Sequence, residues 1–142
     1  MPAFSKKSKA LLEQCHPDLQ KVFNQAIKII DFTVLESTIR TKEQQAEYVK
    51  TGKSRTMNSK HLKRYCKDFG GDCSFALDVC PYPIDWNDRE RFCLMAGIVL
   101  GIAKVYKDLG IIKSDIVWGG DFNMNNVTKD EKFSDCPHFE VR

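Results

Sequence analysis

Asn58-Ser59-Lys60-His61, Phe75-Ala76-Leu77-Asp78-Val79-Cys80 and Ser134-Asp135-Cys136-Pro137-His138-Phe139-Glu140-Val141 are the stretches from which the fold is read. The second is a short apolar run carrying one carboxylate and stopped by Pro81 and Pro83, which reads as a strand. The third ends in a last short strand, Pro137 to Val141, and His61 lies in a loop. His61, Asp78 and His138 thus come from three separate elements. Catalytic zinc sites have this layout, with three N/O protein ligands and a fourth position left to water, whereas structural zinc is more often local and cysteine-rich. Asp135, three residues before His138, is a spare carboxylate able to reach the same cavity without ligating and to pass a proton there. On residue types alone two readings stay open: a zinc site, or histidines satisfied within a structural core.

The chain of 142 residues is long enough for one domain with a core that needs no disulfide staples. At 42% hydrophobic and 29% charged residues, its composition is globular and excludes disorder. The net charge of +3 gives only loose attraction to anionic polymers, and no nucleic-acid partner is expected. No stretch has the length of a membrane span, so no stable membrane association is expected. Met1 to Lys7 has charge but no apolar run, so no secretory signal is read and synthesis in the cytoplasm is expected. The six cysteines (15, 66, 73, 80, 93 and 136) show no C-x-x-C spacing, and without a signal the expectation is reduced thiols. Cys66 and Cys73 are the pair that would join in an oxidising space.

Outward from the site stretches, Lys6 to Gln14 reads as a short helix capped by Ser5, and His16-Pro17-Asp18 restarts a helix through Ile30. His16, at that cap, is read as structural. Asp31 to Glu36 reads as a strand, and the capping box Thr41-x-x-Gln44 opens a helix to Lys50. Ser54 to Ser74 has no periodicity and is expected to be a long loop. Asn87-Asp88-Arg89-Glu90 opens the longest helix, which ends at Gly110. Its expected core stripe is Phe92, Met95, Val99, Ile102, Tyr106 and Leu109, widened by Ile98 and Val105, with Gly97, Gly101 and Ala103 admitting a close neighbour. Asp115 to Trp118 is a strand running into Gly119-Gly120, followed by a polar loop. The sum is one α+β domain over residues 1–142, with no repeat or linker.

Read together, Arg40-Thr41-x-x-x-Gln45, Gly52-Lys53-Ser54, Asn58-Ser59-Lys60-His61, Ala76-x-Asp78, Trp118-Gly119-Gly120-Asp121 and Pro137-His138-Phe139-Glu140 occur in the order of the LAS zinc metallopeptidases. Phe4-Ser5, His16-Pro17-Asp18-Leu19 and Phe32-Thr33-Val34 extend the likeness to nearly the whole chain. The chain resembles most the phage L-alanyl-D-glutamate endopeptidases within that family, which also holds the D-Ala-D-Ala carboxypeptidases and dipeptidases. The resemblance implies a hedgehog/DD-peptidase-like fold, in which a short antiparallel sheet bears a zinc site flanked by helices. It implies His61, Asp78 and His138 as Zn2+ ligands, Asp135 as general base, Arg40 beside the substrate carbonyl or carboxylate as oxyanion stabiliser, and Ser59 at the substrate or in its own turn. The implied activity is that of an endolysin: a peptidoglycan endopeptidase cutting the L-Ala–D-Glu bond of the stem peptide with zinc-activated water. It would act as a monomer, held in the host cytoplasm until a separate pore releases it to the wall. A D,D-carboxypeptidase and a non-catalytic zinc module that binds wall fragments or a protein are the alternatives.

Three departures from the family pattern stand out. Sixteen residues, Leu62 to Leu77, separate the first two ligands, which the family keeps closer; loop entropy tolerates such an insertion. It is expected to alter the cleft wall, with Lys63, Arg64 and Lys67 facing an anionic polymer. The segment Glu36 to Thr41 is one residue longer than usual, and Cys136 sits between base and ligand, where packing, oxidation and metal ligation are all open to it. Finally, Asp121-x-Asn123-x-Asn125 resembles the start of a Ca2+ loop, although Asn126 and Lys132 replace its usual Gly and Glu.

Overall fold

A computed structural model describes residues 2–131 and 134–142. Four α-helices, α1 (Lys6–Leu12), α2 (Pro17–Ala26), α3 (Lys42–Lys50) and α4 (Arg89–Asp108), alternate with six strands. These are β1 (Phe32–Val34), β2 (Arg64–Cys66), β3 (Gly71–Cys73), β4 (Ala76–Pro81), β5 (Ile116–Trp118) and β6 (His138–Val141). The main sheet has the order β1-β4-β6-β5, and every pairing in it is antiparallel. Helix starts follow the side-chain chemistry expected of them. Ser5 accepts from Ser8 N, His16 Nδ1 accepts from Asp18 N, and Thr41 and Gln44 close a complete capping box.

The sheet separates two environments because successive strand residues point to opposite faces. Leu77, Val79, Phe139 and Val141 turn to the core, where Phe139 meets Phe23 of α2 edge to face at 5.2 Å. Asp78 and His138 are direct cross-strand partners and so share the other face. The core side of α4 is Phe92, Met95, Ala96, Val99 and Ala103. This corrects the expected stripe: Val105 and Leu109 are exposed, and Gly97 and Gly101 lie on the solvent side with open space around them. Phe92, Met95 and Val99 hold the core as expected, with Ile102 and Tyr106 half-buried against it; helix period gives the phase of the stripe but not its edges once small residues such as Ala96 and Ala103 can take core positions.

The expected long loop is also corrected. It contains the hairpin of β2 and β3, in which Tyr65 faces Asp72 across the ladder. The hairpin braces the α1–α2 junction: Lys63 Nζ donates to Gln14 Oε1 at 2.8 Å, and Ser74 pairs with Cys15 through a parallel bridge. Three-residue strands escape a periodicity search because they are too short to show a period. All six cysteines are free thiols.

Candidate active site

Register brings the first two candidate ligands together, since Asp78 of β4 lies opposite His138 of β6. His61 arrives from a turn in which Ser59 Oγ accepts its backbone N–H at 3.2 Å and the Ser59 carbonyl accepts from Leu62 N. One ligand atom each from His61, Asp78 and His138 lie within 4.8 Å of one another, and all three residues are buried.

Partners around this group dictate which atoms face inward. His61 Nδ1 lies 3.0 Å from the Thr38 carbonyl, which can only accept, so Nδ1 carries the proton and Nε2 presents a lone pair. His138 Nε2 lies 2.9 Å from Glu140 Oε1, which leaves Nδ1 as the inward atom. These two inward nitrogens are 3.1 Å apart. Asp78 Oδ2 is taken up by Ser37 Oγ at 2.6 Å and Arg40 Nη2 at 3.1 Å. Its Oδ1 is buried without a hydrogen-bond donor, 3.2 Å from His61 Nε2 and 3.5 Å from His138 Nδ1. His61 Nε2, His138 Nδ1 and the Asp78 carboxylate oxygen at such separations call for a cation among them, a proton or a metal ion. A divalent metal with a preference for N/O donors fits this set, and the carboxylate–histidine pair of Glu140 and His138 is the arrangement that orients metal-ligating imidazoles.

The electrostatics agree with a site built for positive charge. Burial opposes ionisation of Asp78, but the His61 and His138 imidazoles outweigh it and hold the carboxyl well below its ordinary range. Burial likewise opposes the His138 imidazolium, yet the Asp78 carboxylate beside it and the bond to Glu140 raise its pKa to about 9. Glu140 is brought down to about 2, as the bonds from His138 and Arg142 overcome its burial. Asp135 moves the other way: burial first, and then the Asp78 carboxylate, raise it above the ordinary range.

A cavity of about 420 Å³ opens over this group, and Arg40, Ser59, His61, Asp135, His138 and Glu140 all line it. Asp135 is held by its backbone: its N–H donates to the Gly119 carbonyl at 2.7 Å, and its carbonyl accepts from His138 N at 3.0 Å. Trp118 Nε1 donates to the Cys136 carbonyl at 2.7 Å, so the Trp-Gly-Gly tip clamps the whole Asp135–His138 segment. A Cβ on Gly119 would lie 2.1 Å from the Asp135 carbonyl oxygen, a contact with backbone that cannot swing away. Gly119→Ala is therefore expected to destabilise the fold by about 2–3 kcal/mol, at the upper end of overpacking costs. A thermal melt equal to that of the parent would contradict the clamp.

Arg40, expected beside the substrate, is also built into the contacts of the site itself. It is tied to Asp78 Oδ2, to the Ser37 carbonyl and to Gln45 Oε1, and it lies 4.6 Å over the Tyr48 ring. Ser37, Thr38, Gln45 and Glu140 are site residues that sequence reasoning did not single out. Thr38 Oγ1 bonds both backbone groups of Asp78, and fully buried Gln45 joins Arg40 to Ser54 and Thr56 of the cleft wall. Gln45 and Glu140 had a usable signal in the motifs they close, and Glu140 stands two positions after His138 and hence on the same strand face.

Two expectations find no support in the structure. No residue from Leu62 to Leu77 lines the cleft, so Lys63, Arg64 and Lys67 do not form its wall. Arg64 instead braces that wall from behind, donating to the Ser59 carbonyl at 2.8 Å. The loop at Asp121 gives no support for calcium, because its oxygens serve its own backbone. Asp121 accepts from Asn125 N and Asn126 N, Asn123 Oδ1 from Asn125 N, and Asn125 Oδ1 from Val127 N. Lys132 lies outside the described residues.

Residues 2–142 match the model of the family described as phage L-alanyl-D-glutamate peptidase. The fold is similar to the crystal structure of the L-Ala D-Glu endopeptidase ChiX of Serratia marcescens, with a TM-score of 0.70 and 28% identity over 98% of this chain and 89% of that one. No curated protein matches. The chain is a peptidase and belongs to the phage L-alanyl-D-glutamate peptidase family.

Proposed function

We propose that this peptidase is a zinc-dependent endolysin that hydrolyses the L-Ala–D-Glu bond of the peptidoglycan stem peptide. The observation that carries the reading is the convergence of His61 Nε2, His138 Nδ1 and the orphaned Asp78 Oδ1 beneath a cleft that also holds Asp135. His61, Asp78 and His138 would hold the metal. When bound, zinc supplies a Lewis acid that polarises the scissile carbonyl and makes water a nucleophile near neutral pH.

The protein's own groups do the rest. Asp135 takes a proton from the attacking water on a carboxylate oxygen and delivers it to the leaving amine nitrogen. Burial and the Asp78 carboxylate raise its pKa above the ordinary carboxylate range, which makes it a stronger proton acceptor than a solvated Asp. Arg40 keeps the Asp78 carboxylate oriented through Oδ2 and lines the cleft, where its positive charge would stabilise the carbonyl oxygen as that oxygen gains charge. Ser59 sets the His61 turn and forms part of the substrate floor. The enzyme would act as a monomer, kept in the host cytoplasm until a separate pore admits it to the wall.

Digestion of purified peptidoglycan followed by mass spectrometry tests the assignment. New N-terminal D-Glu on stem peptides is expected, abolished by a chelator and restored by zinc. Release of D-Ala alone would replace the reading with a D,D-carboxypeptidase. Wall binding without any cleavage would replace it with a non-catalytic module.

A further inference from the structure

Among the described residues, four cations line the cleft, Arg40, Lys53, Arg55 and Lys60, against two carboxylates, Asp135 and Glu140. Arg40 is bonded to Asp78 and Gln45, and Lys60 Nζ donates to the Val141 carbonyl at 2.7 Å while lying 3.9 Å from Glu140. Lys53 and Arg55 are exposed and stand on the segment just after Gly52, whose φ of +81° turns the chain there. That segment is fastened from beneath. Gln45 Nε2 donates to Ser54 Oγ at 2.8 Å and to the Thr56 carbonyl at 2.7 Å, so the residues on either side of Arg55 are anchored to a buried hub. Lys53 Nζ lies 5.6 Å over the Tyr48 ring, the same ring that carries the Arg40 guanidinium. A row of positive charge thus runs from the Asp78 end of the site along one wall.

We propose that Lys53 and Arg55 are specificity-determining residues that bind the free α-carboxylate of the residue on the leaving side of the scissile bond. They would thereby select acidic stem peptides over α-amidated ones. The assignment rests on the endopeptidase reading above. A glutamyl residue joined onward through its γ-carboxyl keeps its α-carboxylate ionised, on the same carbon as the scissile nitrogen. Placed over this site, that charge faces Asp135, and the repulsion calls for a cation within reach. The planar guanidinium of Arg55 matches a carboxylate two bonds at a time, and the Lys53 ammonium adds a point charge beside it. Both sit on a wall whose base is bonded to buried Gln45.

The test uses two synthetic stem peptides that differ only at this group, one with a free α-carboxylate and one with an α-carboxamide. The parent enzyme is expected to favour the acidic peptide in kcat/KM by about tenfold or more, the scale of one charge-assisted contact. Lys53→Ala/Arg55→Ala should bring that ratio toward one, through KM rather than kcat. Lys53→Glu/Arg55→Glu should invert it, a result that a poorly folded variant cannot produce. A ratio unchanged in the double-alanine variant, or equal losses on both peptides, overturns the assignment alone. Failure of the parent to cut either peptide at this bond overturns the endopeptidase reading and the assignment together.

Discussion

Asp135→Asn is expected to lower kcat on peptidoglycan by about 10²- to 10⁴-fold, the usual weight of a positioned general acid–base group. Bound zinc should be retained at the parent level, because Asp135 is not among the three residues whose donor atoms converge. The fold should also survive. The Asp135 contacts that secure the segment come from its backbone, to the Gly119 carbonyl and from His138 N, and an amide side chain leaves both in place. What Asn cannot do is accept a proton. Metal analysis by atomic absorption and a lysis assay on the same preparation separate the possibilities. Full zinc occupancy with wild-type lysis would remove Asp135 from the mechanism.

Asp78→Asn is expected to strike both metal and stability. The neutral amide is a weaker ligand, and it leaves the Arg40 guanidinium, only 11% exposed, without its anionic partner. Stranding one member of a buried ion pair costs about 3–5 kcal/mol, which for a domain of this size is a fall in Tm on the order of 10 °C. Zinc affinity should drop in parallel, measured by competition with a chromophoric chelator. Adding Arg40→Met removes the stranded charge and should recover part of the stability but none of the metal. Equal melting temperatures for the single and double variants would mean that the Arg40–Asp78 contact carries no weight in the fold.

These expectations share a structural cause. Asp78 and His138 are set on a sheet face by strand register, His61 joins them from its turn, and further contacts to the group come from the segment between β1 and α3. That segment includes Glu36 to Thr41, the stretch that is one residue longer than the family pattern. Its short 3-10 turn at Glu36–Thr38 places Ser37 against Asp78 Oδ2 and the Thr38 carbonyl against His61 Nδ1. The departure is therefore accommodated by the turn that shapes the site.

Local chemistry was legible in the sequence where it is short-ranged. The capping box at Thr41, the Pro17 start and the strand around Asp78 follow from residues within a few positions of one another. His61, Asp78 and His138 could be nominated because donor types are a property of residues, and the order of motifs made the nomination specific. The β2–β3 hairpin was not legible, because three-residue strands carry no period, nor were the edges of the α4 stripe, which depend on what packs against it. Which oxygen of Asp78 faces the metal group was decided only by tertiary structure. Ser37 and Arg40 occupy Oδ2 from 41 and 38 residues away, and Oδ1 is left alone between two imidazoles whose tautomers are fixed by Thr38 and Glu140. Sequence names the donors, but hydrogen bonds from distant elements decide which lone pairs remain to bind.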